Sequence, residues 1–511
     1  MKRYSDLEYL RLPKWRRFLY TLVCLICGIP GGIWNGLKAI YGFFVKFGKS
    51  VANEFTDIFL TFKNGDWKTR MSYFVMGFGN IARGQVLRGL LFLTMEVVFI
   101  VYMALAGVNW LSQLPSLGVM GPEKNVYDPI LDQYTTIYHD NSFKILLYGV
   151  LTIFFIVAMI YTWRLNVKQN KIAQQILASG KKLKSGKDDL RSLVDDQFHK
   201  TLLSLPLFGI VVFTVMPIVF MILVAFTNYD SMNDGYVTNL FDWVGLDNWN
   251  KMLTWGDGEA RYSAALGEIL SWTIIWAFFA TFSNYFLGMA VAMIINKKGI
   301  KMKKFWRTCL VMTIAIPQFI SLLYVSKMFA TNGLVNGILM DWGWIKSILP
   351  FWTDKTWARV TVIIINIWIG IPHLMLMATG ILMNIPADLY ESAKVDGANA
   401  WQQYTKITLP YMLFVTGPYL LTSFIGNMNN FNVIYLLTGG GPSKLDVAGV
   451  LGTPGETDLL ITWLFKMVTV SEPAAYNMAS VIGIIVFVVV ATISLVVYNV
   501  MPSTKNEEDF Q

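Results

Sequence analysis

Two apolar stretches of the chain contain polar side chains at spacings that would place them on one helix face. In TSFIGNMNNFNVIYLL (422–437), Ser423, Asn427 and Asn430 stand at positions i, i+4 and i+7, which predicts a single polar stripe. Hydroxyl and carboxamide groups offer paired donors and acceptors, which suits the binding of a neutral, hydroxylated ligand. The same groups commonly join neighbouring membrane helices, so ligand contact and interhelical hydrogen bonding are both open interpretations.

The second stretch, NIWIGIPHLML, places Asn366, Ile369, Gly370 and His373 on a shared face. Pro372 should loosen the helix there and free backbone carbonyl groups. His373 is one of three histidines in the chain, and its side chain is either a packed neutral imidazole or a ligand contact. With no second His or Cys nearby, we expect neither a metal nor a cofactor, and no residues are predicted to be catalytic.

The composition indicates which elements must position these residues. With 55% hydrophobic and 15% charged residues over 511 positions and a mean hydropathy of +0.48, the chain is too apolar for an ordinary soluble enzyme. Apolar runs of about 20 residues recur, the length at which a helix crosses the hydrocarbon core. The predicted spans are 88–110, 145–163, 202–226, 267–295, 308–329, 357–380, 411–436 and 476–499. We therefore predict an all-α polytopic membrane protein with about eight transmembrane helices.

Basic residues are concentrated in a few short connections, and their distribution predicts sidedness. The connection 164–200 carries Arg164, Lys168, Lys171, Lys181, Lys182, Lys184, Lys187, Arg191 and Lys200. By the positive-inside rule it is cytoplasmic, and alternation then places 297–307, 384–408 and both chain ends inside and 227–265 outside. Because these connections account for much of the net charge of +9, nucleic-acid binding is not expected.

The N-terminal region offers two motifs that chemistry could use, and neither is convincing. Residues 16–47 are apolar but interrupted by Pro and Gly, which favours an interfacial or re-entrant segment over a crossing, with no cleavable signal peptide before it. Cys24 and Cys27 lie inside that run and are expected to be small packing residues. GFFVKFGKS (42–50) is one residue too long for a phosphate-binding P-loop, so the chain supplies no nucleotide site there.

A polar segment between two predicted spans, ESAKVDGANAWQQYTKITLP (391–410), has the pattern of a helical knob. Residues 386–396 have helical composition, with Pro386 suited to a first turn. Gly397 permits a sharp turn, and 398–407 can form a second short helix. Pro410 is expected to end that element where the next span begins.

This segment resembles the EAA loop of bacterial ABC importer permeases. The matching positions are Glu391, Ser392, Ala393, Gly397, Ile407, Leu409 and Pro410, with Ser392 where the family usually has Ala. The resemblance implies a type I importer transmembrane fold whose cytoplasmic coupling helix docks on a separate ATP-hydrolysing subunit.

From about residue 200 to the end, the chain is similar to the F subunit of maltose and maltodextrin importers, with shared sequence motifs such as DLYE and LLTGGGP. By this resemblance the sugar contacts are Ile369, Gly370, His373, Ser423, Gly426, Asn427 and Asn430. The family's best-known member has Tyr at the position of His373 and Phe at that of Gly426. Losing both rings predicts a roomier site, suited to longer oligosaccharides.

The resemblance also implies partners and a domain plan. Expected partners are a second, G-type permease, two ATP-binding-cassette subunits, an extracytoplasmic solute-binding protein, an oligosaccharide and the lipid bilayer of a bacterial cytoplasmic membrane. The expected blocks are an N-terminal cytoplasmic or interfacial extension (1–70), accessory spans with a basic linker (71–200), the permease core with the EAA loop at 384–410 (201–505) and a cytoplasmic tail (506–511).

Three rival functions predict other features. An importer of another sugar, a polyol, a polyamine or glycerol phosphate would share the fold, and an anionic cargo would favour Lys or Arg at mid-membrane, which spans 357–380 and 411–436 lack. A motor-independent secondary transporter would favour intramembrane acids and inverted repeats. An integral-membrane enzyme would need an acid–base or metal constellation, and the sequence offers none.

Overall fold

The computed structural model describes residues 48–254, 261–297, 299–447 and 449–500, with 38, 41, 42, 45 and 46. Cys24, Cys27 and most of the segment 16–47 lie outside the described residues. The described helices are α1 (48–64), α2 (Trp67–Met71), α3 (Phe78–Ile81), α4 (Val86–Gln113), α5 (Ser142–Ala178), α6 (Gly186–Val194), α7 (Phe198–Val224), α8 (Asp247–Leu253), α9 (Tyr262–Asn296), α10 (Lys303–Ala315), α11 (Gln318–Met328), α12 (Leu334–Asp341), α13 (Lys355–Leu382), α14 (Ala387–Val395), α15 (Ala400–Gln403, Tyr404–Thr408 and Leu409–Met428), α16 (Phe431–Thr438), α17 (Leu460–Thr469) and α18 (Tyr476–Val500). The strands are β1 (Glu123–Asp128) and β2 (Gln133–Ile137), an antiparallel pair.

Two compact units divide the chain. The first comprises Met1–Asn109 and Leu151–Gly209. Within it, α1 is held against α5 by ion pairs from Glu54 to Arg164 and from Asp57 to Lys171. The indole of Trp163 donates to the carbonyl of Tyr73 (3.0 Å), which fixes the turn between α2 and α3 against the same helix.

The second unit comprises Trp110–Val150 and Ile210–Gln511. The β1–β2 region is fixed to the connection after α7, because Ser142 N–H donates to the Gly235 carbonyl (2.8 Å). The indole of Trp243 likewise donates to the Leu114 carbonyl (3.0 Å). These bonds explain why residues 110–150 group with the C-terminal part of the chain.

Helix α9 is the centre of the second unit, because its successive turns contribute to three apolar clusters. Its first turns pack with α17 and α18 around Trp463. Its middle turns, around Trp276, pack with α11, α13 and α16. Its last turns, around Met289, pack with α13 and α15. Helix α9 therefore sets the relative positions of the elements that carry the predicted site residues.

The contacts of α9 establish the direction of its neighbours. Arg359 lies over the ring of Trp272 (4.6 Å), and farther along, Asn296 donates to Thr379 (3.2 Å), so α9 and α13 run parallel. Two parallel helices require a return crossing between them. Of the described helices on that part of the chain, α10 and α11 together are long and apolar enough to make it, whereas α12 has only eight residues. Within the part of the chain that the structure describes, seven single helices are long and apolar enough to span a membrane, and α10 with α11 supplies the eighth crossing.

The eighth crossing differs from its prediction. The sequence predicted one span at 308–329, whereas α10 and α11 meet at a bend of 91°. Pro317 lacks an amide hydrogen and disfavours helical backbone in the residue before it, and Ile316 is extended (φ −82°, ψ 126°). In α13, by contrast, Pro372 is accommodated and the helix runs through it without a break.

Candidate functional site

A cavity of about 370 Å³ lies at the bend between α10 and α11. We call it the bend cavity; its lining residues are Thr313, Ile314, Ala315, Ile316, Pro317, Gln318, Ser321, Trp368, Ile369 and His373. The broken helix supplies one wall, and α13 supplies the other. The structure thus brings two predicted contacts, Ile369 and His373, together with side chains that sequence reasoning had not selected.

His373 is exposed toward this cavity, and its ring is 6.5 Å from that of Tyr419, at 35°. Gln318 and Ser321 add a carboxamide and a hydroxyl from α11. Among the described residues, no group of three His, Cys, Asp or Glu side chains could hold a metal ion. The bend cavity is therefore equipped for hydrogen bonding to an uncharged ligand.

Gly370 lies on the side of α13 that packs against α9. A Cβ atom at Gly370 would lie 2.5 Å from Nδ2 of Asn284, so only glycine permits this approach. Asn284 and Asn366 are each 6% exposed. Within the described structure, Oδ1 of Asn284 and Nδ2 of Asn366 have no hydrogen-bond partner. An unpaired acceptor on α9 and an unpaired donor on α13 therefore lie about one helical turn apart along the contact between the two helices.

The remaining predicted contacts belong to a second polar group, at the break between α15 and α16. Asn427 donates to the hydroxyl of Thr281 on α9 (3.0 Å), and its Oδ1 accepts from Asn430 (3.3 Å). The indole of Trp276 donates to the Asn427 carbonyl (3.0 Å). Asn427 therefore makes the interhelical bond that the sequence left as one of two interpretations. Ser423 is half-buried and bonded to Tyr419.

The predicted stripe of Ser423, Asn427 and Asn430 on one helix is wrong. Helix α15 ends at Met428, and Asn430 instead caps α16, accepting a hydrogen bond from the amide of Val433 (3.3 Å). Asparagine competes for backbone groups and favours helix starts, which explains the break. Gly426 is exposed, with open space where a Cβ would stand.

Several polar groups near these residues escaped the sequence argument. Gln318 and Ser321 follow Pro317, and that proline was the available signal for a helix break with polar side chains after it. Thr281 and Asn284 lie one turn apart on α9, but their partners are remote in sequence. No local pattern identifies which face of α9 meets α13 and which meets α15.

The EAA-like segment forms a helix–turn–helix knob. Helix α14 ends at Val395, and Gly397 takes the left-handed conformation (φ +77°) that glycine accepts without strain. The Ala398 amide closes the turn on the Ala393 carbonyl (2.8 Å), and Asn399 caps α15. Ser392 donates to the Asp388 carbonyl (2.7 Å) within α14, so the departure from Ala costs the knob nothing.

The knob presents apolar side chains that no other described residue covers. Val395 is 89% exposed and Trp401 is 70% exposed, on either side of the turn, and Glu391 is exposed on α14. A surface of this kind marks a docking site for a partner. Ile407 and Leu409 are half-buried, where the knob passes into the membrane helix.

The expectation that Pro410 ends the second short helix is wrong. Helix α15 continues through it to Met428, and the turn before it, Tyr404–Thr408, has the wider π-helical spacing. That spacing relieves the clash between a proline ring and the preceding turn. The second helix of the knob and the membrane helix are therefore one continuous helix, which suits the transmission of a displacement from the knob into the membrane.

Comparisons with known proteins agree with this geometry. Residues 284–505 match the model of the family described as binding-protein-dependent transport system inner membrane component. The maltodextrin transport system permease protein MalC of Streptococcus pneumoniae is 32% identical over 440 residues, covering 84% of this chain and 95% of that protein.

Two proteins of Bacillus subtilis are similarly related. The maltodextrin permease protein MdxF is 30% identical, with 85% of this chain and 95% of that protein covered. The galactooligosaccharides permease protein GanP is 29% identical, with 85% and 97% covered. The chain belongs to the family of binding-protein-dependent transport system inner membrane components, the permeases of ABC importers.

Proposed function

We propose that this chain is a permease subunit of an ATP-driven importer that moves α-glucan oligosaccharides of the maltodextrin type across a bacterial cytoplasmic membrane. The observation that carries the proposal is the bend cavity, which lies between the broken helix pair α10–α11 and α13, elements that are apolar enough to cross a membrane. None of its lining residues is Asp, Glu, Lys or Arg, whereas Gln318, Ser321 and His373 offer donors and acceptors. Neutral sugars need this set of groups, and an ionised side chain would be costly there.

Two asparagine groups extend the proposed site beyond the cavity. Within the described structure, Asn366 and Asn284 hold an unused donor and an unused acceptor at the α9–α13 contact. Asn366 lies one turn before Ile369 of the cavity, and we add it to the predicted contacts. Asn427 and Asn430 already use part of their capacity on each other and on Thr281. They retain acceptor and donor capacity for a sugar hydroxyl, so their interhelical role and a contact role are compatible.

Sidedness follows from combining charge with helix direction. The knob lies at the same end of the bundle as the end of α9, because α9 and α13 run parallel. The basic connection KKGIKMKKFWR (297–307) follows α9 directly, so this end is the cytoplasmic one. The knob then faces the compartment that contains ATP, where two separate ATPase subunits would bind it.

The proposed mechanism is alternating access. Closure of the ATPase pair on ATP would displace the knob, and α15 would carry the movement to Asn427 at its far end. Helix α13, joined to the knob by the short connection 383–386, would carry the same movement to Asn366 and His373. A second, G-type permease would complete the pathway, and an extracytoplasmic solute-binding protein would deliver the sugar. The site itself need not bind tightly, since a tight site would slow release.

Galactooligosaccharides are the second candidate cargo, because GanP is related at 29% identity against 32% for MalC. Both cargo classes are neutral and hydroxylated, so the chemistry of the bend cavity suits either. His373 and Gly426, where rings would otherwise narrow the site, favour a longer oligosaccharide in both cases. A panel of sugars of both types and of increasing length separates them.

The test uses the complete importer in liposomes, with its binding protein, and measures ATP hydrolysis across that panel. Maltodextrins should stimulate hydrolysis, and replacing Gly397 by Asp should reduce the stimulation, because the left-handed backbone (φ +77°) is strained for a residue with a Cβ and a negative charge is added at the turn of the knob. Gly180→Asp is the matched control, since Gly180 has the same left-handed backbone (φ +72°) with open space around it. Stimulation by no neutral oligosaccharide, or full coupling in Gly397→Asp, would contradict the proposal.

A further inference from the structure

The motif LLTGGGP (436–442) opens a loop, residues 439–459, that joins α16 to α17 and that we call the glycine loop. Gly440 has φ +86°, and a Cβ there would lie 1.9 Å from Oδ1 of Asp458. Asp458 is fully buried and bonds to Lys466 (2.7 Å) and Thr462 (2.8 Å). Gly440 therefore lets the loop close around a sealed ion pair, which fixes the loop's own shape.

A second ionic group on the same loop is built differently. The carboxylate of Glu456 contacts Lys355 (3.0 Å), Arg359 (3.1 Å) and Lys444 (3.2 Å). The Glu456 carbonyl accepts a further bond from Nε of Arg359 (2.8 Å), and Lys444 also pairs with Glu268. Through this one residue the glycine loop is tied to the first turn of α13, and through Lys444 to the first turns of α9.

Solvent reaches the Glu456 group but not the Asp458 group. A cavity of about 510 Å³ opens beside it, lined by Glu268, Ser271, Trp272, Lys355 and Arg359 among others. The side chains of Lys355 and Arg359 are 48% and 21% exposed and that of Glu456 is 13% exposed, against 9% for Lys466 and none for Asp458. Water can therefore replace the contacts of Glu456 with the two cations of α13 as they separate, whereas separation of Asp458 from Lys466 would strand two buried charges. Lys444 is 1% exposed, but it lies on the same loop as Glu456 and can stay paired with it.

The Glu456 group also lies where a gate is needed. The glycine loop continues directly from α16, which begins at Asn430 of the proposed site. The group lies at the end of the bundle opposite the knob, because it involves the first turns of α9 and α13. Any movement of α16 away from α13 at that end must break the contacts of Glu456 with Lys355 and Arg359.

We propose that Glu456 is a latch residue, which positions α16 against α9 and α13 at the outer end of the bundle. Its contacts with Lys355 and Arg359 break when the site opens to the binding protein. The inference rests on the proposed transport function and its sidedness. The sealed pair of Asp458 and Lys466 keeps the loop folded throughout, so that the loop moves as one piece. The latch thereby couples arrival of the cargo to movement of Asn430.

The first experiment locks the latch in the complete importer. Lys355→Cys and Glu456→Cys are combined in a background with the three native cysteines replaced by Ser, and a short bis-methanethiosulfonate joins them. Maltodextrin uptake into liposomes should fall about tenfold on cross-linking and return on reduction, because the outer end can no longer open. The two single-cysteine variants, treated alike, control for modification.

The second experiment weakens the latch without locking it. Glu456→Gln should raise ATP hydrolysis in the absence of sugar while thermal stability changes little, and Glu456→Asp should restore the low basal rate. A purely structural brace would instead lower stability and leave the basal rate unchanged, and that result would overturn the latch.

The outcomes separate the latch from the function beneath it. Uptake that is normal and insensitive to cross-linking overturns the latch and leaves the transport function standing. Absence of sugar uptake by the importer without any substitution overturns the transport function, and with it the latch that serves it.

Discussion

Two groups of buried asparagines, one in each compact unit, differ in how completely their amides are bonded. In the first unit, Asn80, Asn166 and Asn170 use both amide atoms. The bonds are Gly77 N to Asn166 Oδ1 (3.0 Å), Asn166 Nδ2 to the Ser72 carbonyl (2.8 Å), Asn170 Nδ2 to Asn80 Oδ1 (2.8 Å), Asn80 Nδ2 to Gln85 Oε1 (3.0 Å) and Arg83 to Asn170 Oδ1 (2.8 Å). In the second unit, Asn248 and Asn336 are bonded at both amide atoms as well, but Asn284 and Asn366 each leave one buried atom without a partner among the described residues.

The difference separates two uses of the same side chain. A buried polar atom without a partner costs about 1–3 kcal/mol, so a chain under selection for stability alone would remove it. The closed network of the first unit has no such cost, and its hydrogen bonds fix α2, α3 and α5 in one arrangement. The open pair at the α9–α13 contact has hydrogen-bonding capacity to spare, and the proposed function assigns that capacity to a sugar hydroxyl.

The largest effect is expected from breaking the closed network at Arg83. Its guanidinium donates to Asp66, Thr69 and Asn170, and its side chain is 1% exposed. Arg83→Leu should cost the first unit about 3 kcal/mol, toward the lower end for a buried pair because Asp66 is partly exposed. Hydrogen exchange across residues 66–85 measures it. The exposed Arg70→Leu serves as control, and equal effects in the two variants would refute the closed-network account.

A smaller effect is expected from crowding the open pair. Gly370→Ala forces a methyl group against Asn284 and should cost about 1–3 kcal/mol. The second change Asn284→Ala should recover most of that loss, because the two sites are in contact. Gly380→Ala, on the same helix with open space around it, should be neutral or slightly stabilising. Thermal denaturation of these three variants decides, and failure of Asn284→Ala to rescue would mean the clash is elsewhere.

The smallest effect concerns pH in the closed network. Burial raises the pKa of Asp66, but hydrogen bonds from Thr69 and Arg83, with the charge of Arg83, outweigh it and hold that pKa below its ordinary value. The stabilisation is therefore complete above the usual Asp pKa of about 3.9 and is lost as the pH falls through the lowered folded value. Asp66→Asn should remove this acid-dependent loss of exchange protection near α2. An unchanged acid profile in Asp66→Asn would assign the titration to another group.

Much of the architecture follows from patterns that are local in sequence. Apolar length and the clustering of Lys and Arg predict eight crossings and place the knob at the end of the bundle that follows the 297–307 connection. Gly397 is predicted to turn because only a residue without Cβ accepts its backbone at no cost. The effect of each proline was harder to predict. Pro317 breaks a span, whereas the helices continue through Pro372 and Pro410, because the outcome depends on the surrounding helices.

The finer features of the site depend on contacts between distant residues. The bond between Asn427 and Thr281 joins α15 to α9, and nothing near Asn427 in sequence specifies it. The approach of Gly370 to Asn284 likewise becomes visible only once α9 and α13 are packed. The Glu456 group unites α9, α13 and the glycine loop, which the motif LLTGGGP alone could not reveal. The role of the glycines in LLTGGGP therefore follows from these contacts and not from the motif itself.

The most direct test of the account replaces one asparagine from each group by leucine and measures two quantities in the complete importer. Asn366→Leu removes an unpaired donor, so the melting temperature should hold or rise while sugar-stimulated ATP hydrolysis falls about tenfold. Asn170→Leu removes a bonded one, so the melting temperature should fall while stimulation per folded complex is kept. A destabilised Asn366→Leu with normal stimulation would contradict the claim that the open pair is kept for cargo.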